Sequence, residues 1–157
     1  MIQRSAVRLT MTAVLCVGVS TSSAIAQQSG TAAEARAMFD RAVAALKGNE
    51  ANALAAFNDK NNKDYHDRDL YVFCSRISDG KFTAHVNPAL IGTDARTLNL
   101  GGDMLGQRVI DTTTKAPEGA VSTVDYKFPK PGTTEPAAKQ SYVTRIGDES
   151  CGVGYYK

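Results

Sequence analysis

With 157 residues, 22% of them charged and a formal net charge of only +2, the chain offers no basic footprint for nucleic acid. Setting aside an N-terminal leader of residues 1–26 takes Arg4 and Arg8 and no acidic residue, which leaves 16 basic and 16 acidic side chains and a net charge near zero. The remaining 131 residues suffice for one domain with a genuine core, and no apolar run in them is long enough to span a membrane.

The leader itself reads as a secretory signal peptide. Arg4 and Arg8 precede an apolar run from Ala13 to Val19, and Ala24-Ile25-Ala26 closes it as a signal-peptidase site, so that the mature chain begins at Gln27. The run falls short of the roughly 20 apolar residues that a membrane helix needs. Lipidation of Cys16 is disfavoured, because Leu15 stands where a lipoprotein signal carries a small residue. The expected location is periplasmic or secreted, with residues 27–157 as a single domain.

Thr31 to Lys47 places Ala35, Met38, Phe39, Ala42, Val43 and Leu46 at the three-four spacing of an amphipathic helix. Gly48-Asn49 interrupts it, and Glu50 to Phe57 resumes as a second, short helix. Asn58 to Asp69 is polar and reads as a connection. Leu70 to Ile77 predicts a strand covered on both faces. Asp79-Gly80 then signals a two-residue hairpin turn, because glycine adopts positive φ freely. Lys81 to Val86 is the partner strand, and strict alternation sets Thr83 and His85 against Phe82, Ala84 and Val86. Pro88 ends it.

Ala89 to Gly102 is irregular, and Asp103 to Lys115 carries a helical stripe of Met104, Leu105, Val109 and Ile110. Three strands follow, about Ala120 to Phe128, Lys139 to Ile146 and Ser150 to Tyr156, with Gly147-Asp148 as a tight turn and Pro129 to Pro136 as a stiff loop. Helices first and antiparallel strands after make an α+β domain.

Two cysteines follow the leader, Cys74 and Cys151. In an oxidising compartment they are expected to pair, a link that would contribute roughly 4 kcal/mol through loop closure. Two buried free thiols on neighbouring strands are the alternative.

Four phrases in order carry a resemblance to a known family. They are Ala56-Phe57-Asn58-Asp59 with Asp69-Leu70-Tyr71-Val72-Phe73; the Asp-Gly hairpin running into His85-Val86-Asn87-Pro88; Tyr126-Lys127-Phe128-Pro129-Lys130-Pro131-Gly132; and Lys139-Gln140-Ser141-Tyr142-Val143. Nearly the whole mature chain resembles the single Cache domain of the second type, an extracellular relative of the PAS fold. The resemblance implies a five-stranded antiparallel sheet, a long N-terminal helix on one face and a small-molecule pocket under the loops on the other. Such domains sense extracellular metabolites, usually as the outer part of chemoreceptors and histidine kinases. Here no membrane helix or output module follows, so the expectation is a free-standing exported domain.

The candidate ligand-binding residues are Tyr71, His85, Tyr126, Lys139 and Tyr142. An imidazole near neutrality donates to a carboxylate or accepts from a hydroxyl; His85 could equally order the Asn87-Pro88 turn. Tyr126 and Tyr142 offer apolar rings with polar tips, though strand tyrosines also serve as plain packing. Lys139 supplies a compact positive charge for a carboxylate and ranks above Arg76 and Arg145 on the motif alone. Tyr65-His66-Asp67-Arg68-Asp69 superficially suggests a metal or catalytic cluster and is better explained as a polar link. No nucleophile elbow, phosphate loop or dinucleotide fingerprint is present.

The sequence therefore predicts an exported, soluble, non-enzymatic domain that needs no cofactor, binds a small metabolite such as a short organic acid, and serves extracytoplasmic sensing. The alternative is an interaction module for a membrane-bound receptor or kinase, without a small-molecule ligand. A homodimer through the first helix fits both.

Overall fold

A computed structural model describes residues 29–130 and 133–157. The expected signal peptide and the Pro131-Gly132 step of the proline-bearing loop lie outside the described residues.

Helix α1 spans Ala32–Gly48, and Thr31 and Glu34 close its start as a capping box: Thr31 Oγ1 accepts from the Glu34 N–H at 3.2 Å while the Thr31 N–H donates to Glu34 Oε2 at 2.8 Å. Asn49 then caps α2, Glu50–Asn58, by accepting from the Asn52 N–H at 2.9 Å. After these come β1 (His66–Asp67), β2 (Leu70–Arg76), β3 (Phe82–Ala84), β4 (Asn99–Leu100), β5 (Asp103–Met104), α3 (Leu105–Lys115), β6 (Ser122–Pro129), β7 (Pro136–Ile146) and β8 (Glu149–Tyr156).

The main sheet is antiparallel in the order β1-β2-β8-β7-β6, with β3 on the same edge of β2 as β1. The five expected strands are its body. The two-residue β1 and the separate β4–β5 ribbon are additions, too short to leave a periodic trace.

Alternation gives each face its own core. Leu70, Val72, Cys74, Cys151 and Val153 meet the buried stripe Ala35, Met38, Phe39, Ala42 and Leu46 of α1, together with Ala53 and Phe57 of α2. On the other face Val124 and Val143 meet Leu105 and Val109 of α3, beside a second group of Phe82, Ala95 and Ile110. Cys74 and Cys151 are directly opposed across β2 and β8, 4.1 Å apart at Cα, and form a disulfide on the α1 face.

Three local expectations are corrected. The β2–β3 connection is not a two-residue turn: Arg76 and Lys81 flank a four-residue loop, in which Gly80 takes φ +73° while Asp79 keeps negative φ and accepts from the Lys81 N–H at 3.0 Å. A Cβ at Gly80 would also overlap the Arg96 guanidinium, so space and conformation both demand glycine there. Second, β3 is bulged: Ser75 opposes Phe82 but Cys74 opposes Ala84, so Thr83 is the extra residue. The bulge breaks the alternation, placing Phe82 and Ala84 on opposite faces and turning His85 to the side of Phe82. Third, Met104 belongs to β5 rather than to the α3 stripe and is 44% exposed. The Gly147-Asp148 turn is as expected, with Gly147 at φ +58° between the paired Ile146 and Glu149.

Candidate functional site

Between the sheet and α3, roofed by the segment from Pro88 to Leu100, lies an apolar cavity of about 40 Å³. β2 contributes Tyr71 and Phe73 to its wall, β6 contributes Tyr126 and Phe128, and Leu98 and Leu105 close it from above. The roof is sewn to β3. The Phe82 N–H donates to Thr93 O at 2.9 Å, the Gly92 N–H to Phe82 O at 2.8 Å and the Ala95 N–H to Gly80 O at 2.7 Å. α3 docks on the same segment through Gly106, where a Cβ would overlap the Ala95 carbonyl.

Strand register decides which predicted residues meet. Tyr126 opposes Lys139 across β6 and β7, and Lys139 opposes Tyr156 across β7 and β8, so the three share the cavity face. Lys139 is 2% exposed and sits just behind the cavity wall. Its Nζ lies 4.5 Å from the ring centre of Tyr156, 4.6 Å from that of Tyr71 and 5.5 Å from that of Phe128. Among the described residues its one hydrogen-bonding contact is a long 3.5 Å approach to Tyr71 Oη. No carboxylate of the described residues comes within 4.0 Å of this ammonium. Burial lowers its pKa to about 8, while the Asp69 charge acts in the opposite direction.

His85 stands edge-on to Tyr71 and Phe82, with ring centres 5.3 and 5.4 Å away. Its Nδ1 accepts from the Asn87 N–H at 2.9 Å, which assigns the proton of the neutral ring to Nε2. Burial and the neighbouring Lys139 charge push its pKa down to about 4. The ring thus orders the Asn87-Pro88 turn and still presents a donor. Tyr126 Oη and Ser141 Oγ are 2.7 Å apart, and burial raises the pKa of both Tyr126 and Tyr71, so both phenols are protonated. The polar groups gathered here are an ammonium, an imidazole N–H and two phenols. All four can donate.

Tyr142 is not among them. It opposes Thr123 on the other face of the sheet, where it packs 6.2 Å from Phe39 and 6.0 Å from Tyr155, with the Arg36 guanidinium 5.6 Å above its ring. Arg76 and Arg145 are also elsewhere, facing Glu149 and Glu118.

Two residues near the site escaped the sequence reading. Asn58, the last residue of α2, brackets the bulge: its Nδ2 donates to Thr83 O at 2.9 Å and its Oδ1 accepts from the His85 N–H at 3.3 Å, which fixes the direction of His85. It appears in the first family phrase without any sign of that role. Asp69 lies in the stretch read as a solvated link, yet is only 6% exposed. In the same stretch His66 Nε2 meets Phe57 O at 2.6 Å, a structural contact. Cys74, Glu149 and Cys151 also cluster, but the two sulfurs are bonded to each other and offer no thiolate.

No family model and no curated protein matches the chain. Solved structures do. A methyl-accepting chemotaxis protein from Vibrio parahaemolyticus RIMD 2210633 is 23% identical, covers 79% of this chain and 86% of its own, and superposes with a TM-score of 0.62. A Cache chemosensory domain studied for carboxylic acid recognition is 22% identical over 74% of this chain and 84% of its own, with a TM-score of 0.58. The periplasmic sensor domain of a chemotaxis protein is 26% identical over 78% and 87%, also at 0.58. Among the described residues no helix is long and apolar enough to cross a membrane.

Proposed function

We propose that this chain, which has the fold of a Cache sensor domain, binds a short-chain carboxylate between the sheet and α3 and serves extracytoplasmic sensing. The carrying observation is Lys139, a buried cation whose surroundings supply aromatic faces and further donors, with no carboxylate of the described residues within 4.0 Å. Burying such a charge without a hydrogen-bonded partner is costly, and an incoming carboxylate removes that cost. The carboxylate would accept from Lys139, with Tyr71, Tyr126 and His85 as the surrounding donors, and its alkyl end would lie against Phe73, Leu98 and Leu105. The recognition of carboxylic acid by one of the similar Cache domains supports the same class.

Size sets a bound. One water needs about 10–15 Å³ measured in this way, so a cavity of about 40 Å³ suits a two- or three-carbon acid, and anything larger requires the roof to move. Binding, rather than catalysis, is the role this supports.

Thermal unfolding against short carboxylates, amino acids, amines and purines tests the proposal. A ligand at a hundredfold its dissociation constant adds about 2.7 kcal/mol, several degrees for a domain of this size. A shift confined to short carboxylates is expected. Silence across the panel would reject the proposal in favour of an interaction module.

A further inference from the structure

Glu149, the first residue of β8, is the most deeply buried carboxylate among the described residues, 0% exposed. Its Oε2 accepts from Thr83 Oγ1 at 2.6 Å, while its buried Oε1 has no hydrogen-bond partner among the described residues. The Arg76 Nε stands 3.7 Å from Oε1, outside hydrogen-bond distance. Pairing of β2 with β8 does not need this side chain, because the backbone register from Val72 opposite Val153 to Arg76 opposite Glu149 already makes it. An apolar residue would be buried there without the desolvation cost of a carboxyl group. The one close contact that offsets this cost is the Thr83 hydroxyl.

Thr83 is the extra residue of the β3 bulge, and an extra residue has no ladder partner to fix it. Two side chains hold it instead. Asn58 Nδ2 donates to the Thr83 carbonyl at 2.9 Å, and Glu149 receives the Thr83 hydroxyl from β8, across the intervening β2. Asn58 Oδ1 then accepts from the His85 N–H at 3.3 Å, two residues further on. With Thr83 held in this way, the His85 ring lines the cavity and its Nδ1 accepts from the Asn87 N–H at 2.9 Å. Glu149, Thr83, Asn58 and His85 are thus joined by a hydrogen bond at each step, from a carboxyl group buried in the sheet to the wall of the cavity.

We propose that Glu149 is a positioning residue for the cavity: by holding the Thr83 hydroxyl it fixes the β3 bulge in the form that turns His85 into the cavity wall. The consequence for ligand affinity rests on the carboxylate reading above and adds to it a residue that touches no ligand. Burial raises the Glu149 pKa to about 7, opposed by the Thr83 hydrogen bond and the Arg76 charge, while Glu50 and Asp148 add to the rise. Ionised or protonated, the group keeps an oxygen able to accept from Thr83, so titration does not release the bulge.

Thr83→Val and Thr83→Ser, which remove and keep the hydroxyl, are compared with the unaltered protein at a pH of about 6, where Lys139 is charged and His85 neutral, and well below their melting temperatures. Amide resonances without ligand and calorimetric titration of sodium acetate are the readouts. In Thr83→Val the Asn58 side-chain amide and the Asn87 backbone amide are expected to move and acetate affinity to fall about fivefold, while Thr83→Ser keeps both as in the parent. Adding Glu149→Leu to Thr83→Val is expected to lower affinity no further. Unmoved resonances or unchanged affinity in Thr83→Val, a Thr83→Ser protein that behaves like it, or a further fall in the double variant would overturn the proposal. Should Thr83→Val fail to fold, a pH titration of the unaltered protein decides: the Asn58 side-chain amide is expected to follow the Glu149 carboxyl carbon with the same midpoint, about 7, and a flat Asn58 resonance would overturn the proposal. If the unaltered protein binds no acetate, the carboxylate reading fails, and the resonances alone decide whether Glu149 positions His85.

Discussion

Lys139 lies across Gly154. A β-carbon at position 154 would stand 2.7 Å from Lys139 Cε, 2.5 Å from Ser141 Oγ and 3.0 Å from Tyr126 Oη. β8 thus carries a glycine where the candidate anchor and its neighbours cross the sheet. Gly152, two residues earlier on the same face, is crowded differently, by Phe73 Cζ at 2.6 Å, the Tyr142 carbonyl at 2.7 Å and Val143 Cγ1 at 2.8 Å.

The two glycines therefore predict different phenotypes. Gly154→Ala displaces mobile side-chain ends, so its stability loss belongs at the lower end of the ~1–3 kcal/mol typical of overpacking, while carboxylate affinity falls about tenfold or more. Gly152→Ala meets a carbonyl fixed in the ladder and is expected at the upper end of that range. Denaturant unfolding and ligand titration on both variants check the contrast.

The pH dependence follows from Lys139. A carboxylate binds the ammonium form, which in the free protein gives way above a pH of about 8. Affinity is expected to be level from pH about 5 to 7, because the His85 pKa near 4 keeps that ring neutral there, and to fall about tenfold per unit above 8. Without ligand, the unfolded chain binds the lysine proton more tightly than the folded one. Stability therefore rises with pH across the window from about 8 to 10.5. Lys139→Met should abolish both trends.

Tyr126 and Tyr142 separate by face. Tyr126→Phe removes the hydroxyl facing Ser141 and should weaken carboxylate binding by about 1 kcal/mol with little change in melting temperature. Tyr142→Ala opens the packing against Phe39 and Tyr155 and should destabilise by about 2 kcal/mol while the surviving folded protein binds normally. Paired calorimetry and thermal melts distinguish these outcomes.

Replacing Cys74 and Cys151 together by alanine removes a link across a sequence separation of 77 and should cost about 2–4 kcal/mol. The bridge lies on the α1 face with Leu70 and Val72, away from the cavity, so affinity should change by no more than about twofold. Titration well below the lowered melting temperature tests this.

Much of this arrangement was legible in the chain. The α1 stripe from Ala35 to Leu46 and the alternation of β2, β6, β7 and β8 follow from periodicity, since a buried face must repeat every 3.6 or every two residues. The family phrases pointed to Tyr71, His85 and Tyr126, which line one cavity, and to Lys139, which lies on the same sheet face behind its wall. Tyr142 shows the limit. It and Lys139 are three apart on one strand and so must face opposite ways, but only the pairing of Tyr126 with Lys139 tells which one shares the cavity's face of the sheet. His85 owes its direction to a bulge at Thr83, set by tertiary contacts of Asn58 rather than by local sequence. Asp69 was hidden because a carboxylate in a polar run reads as solvated until the start of α1 is folded over it.

The most direct test is calorimetric titration of acetate into the protein and its Lys139→Met variant at a pH of about 6.5, alongside their melting curves. The account predicts saturable binding by the unaltered protein and none by the variant, whose melting temperature should not fall, because methionine removes the desolvation cost of the buried ammonium. A variant that binds acetate as well as its parent, or that loses binding and stability together, would contradict Lys139 as the anion's anchor.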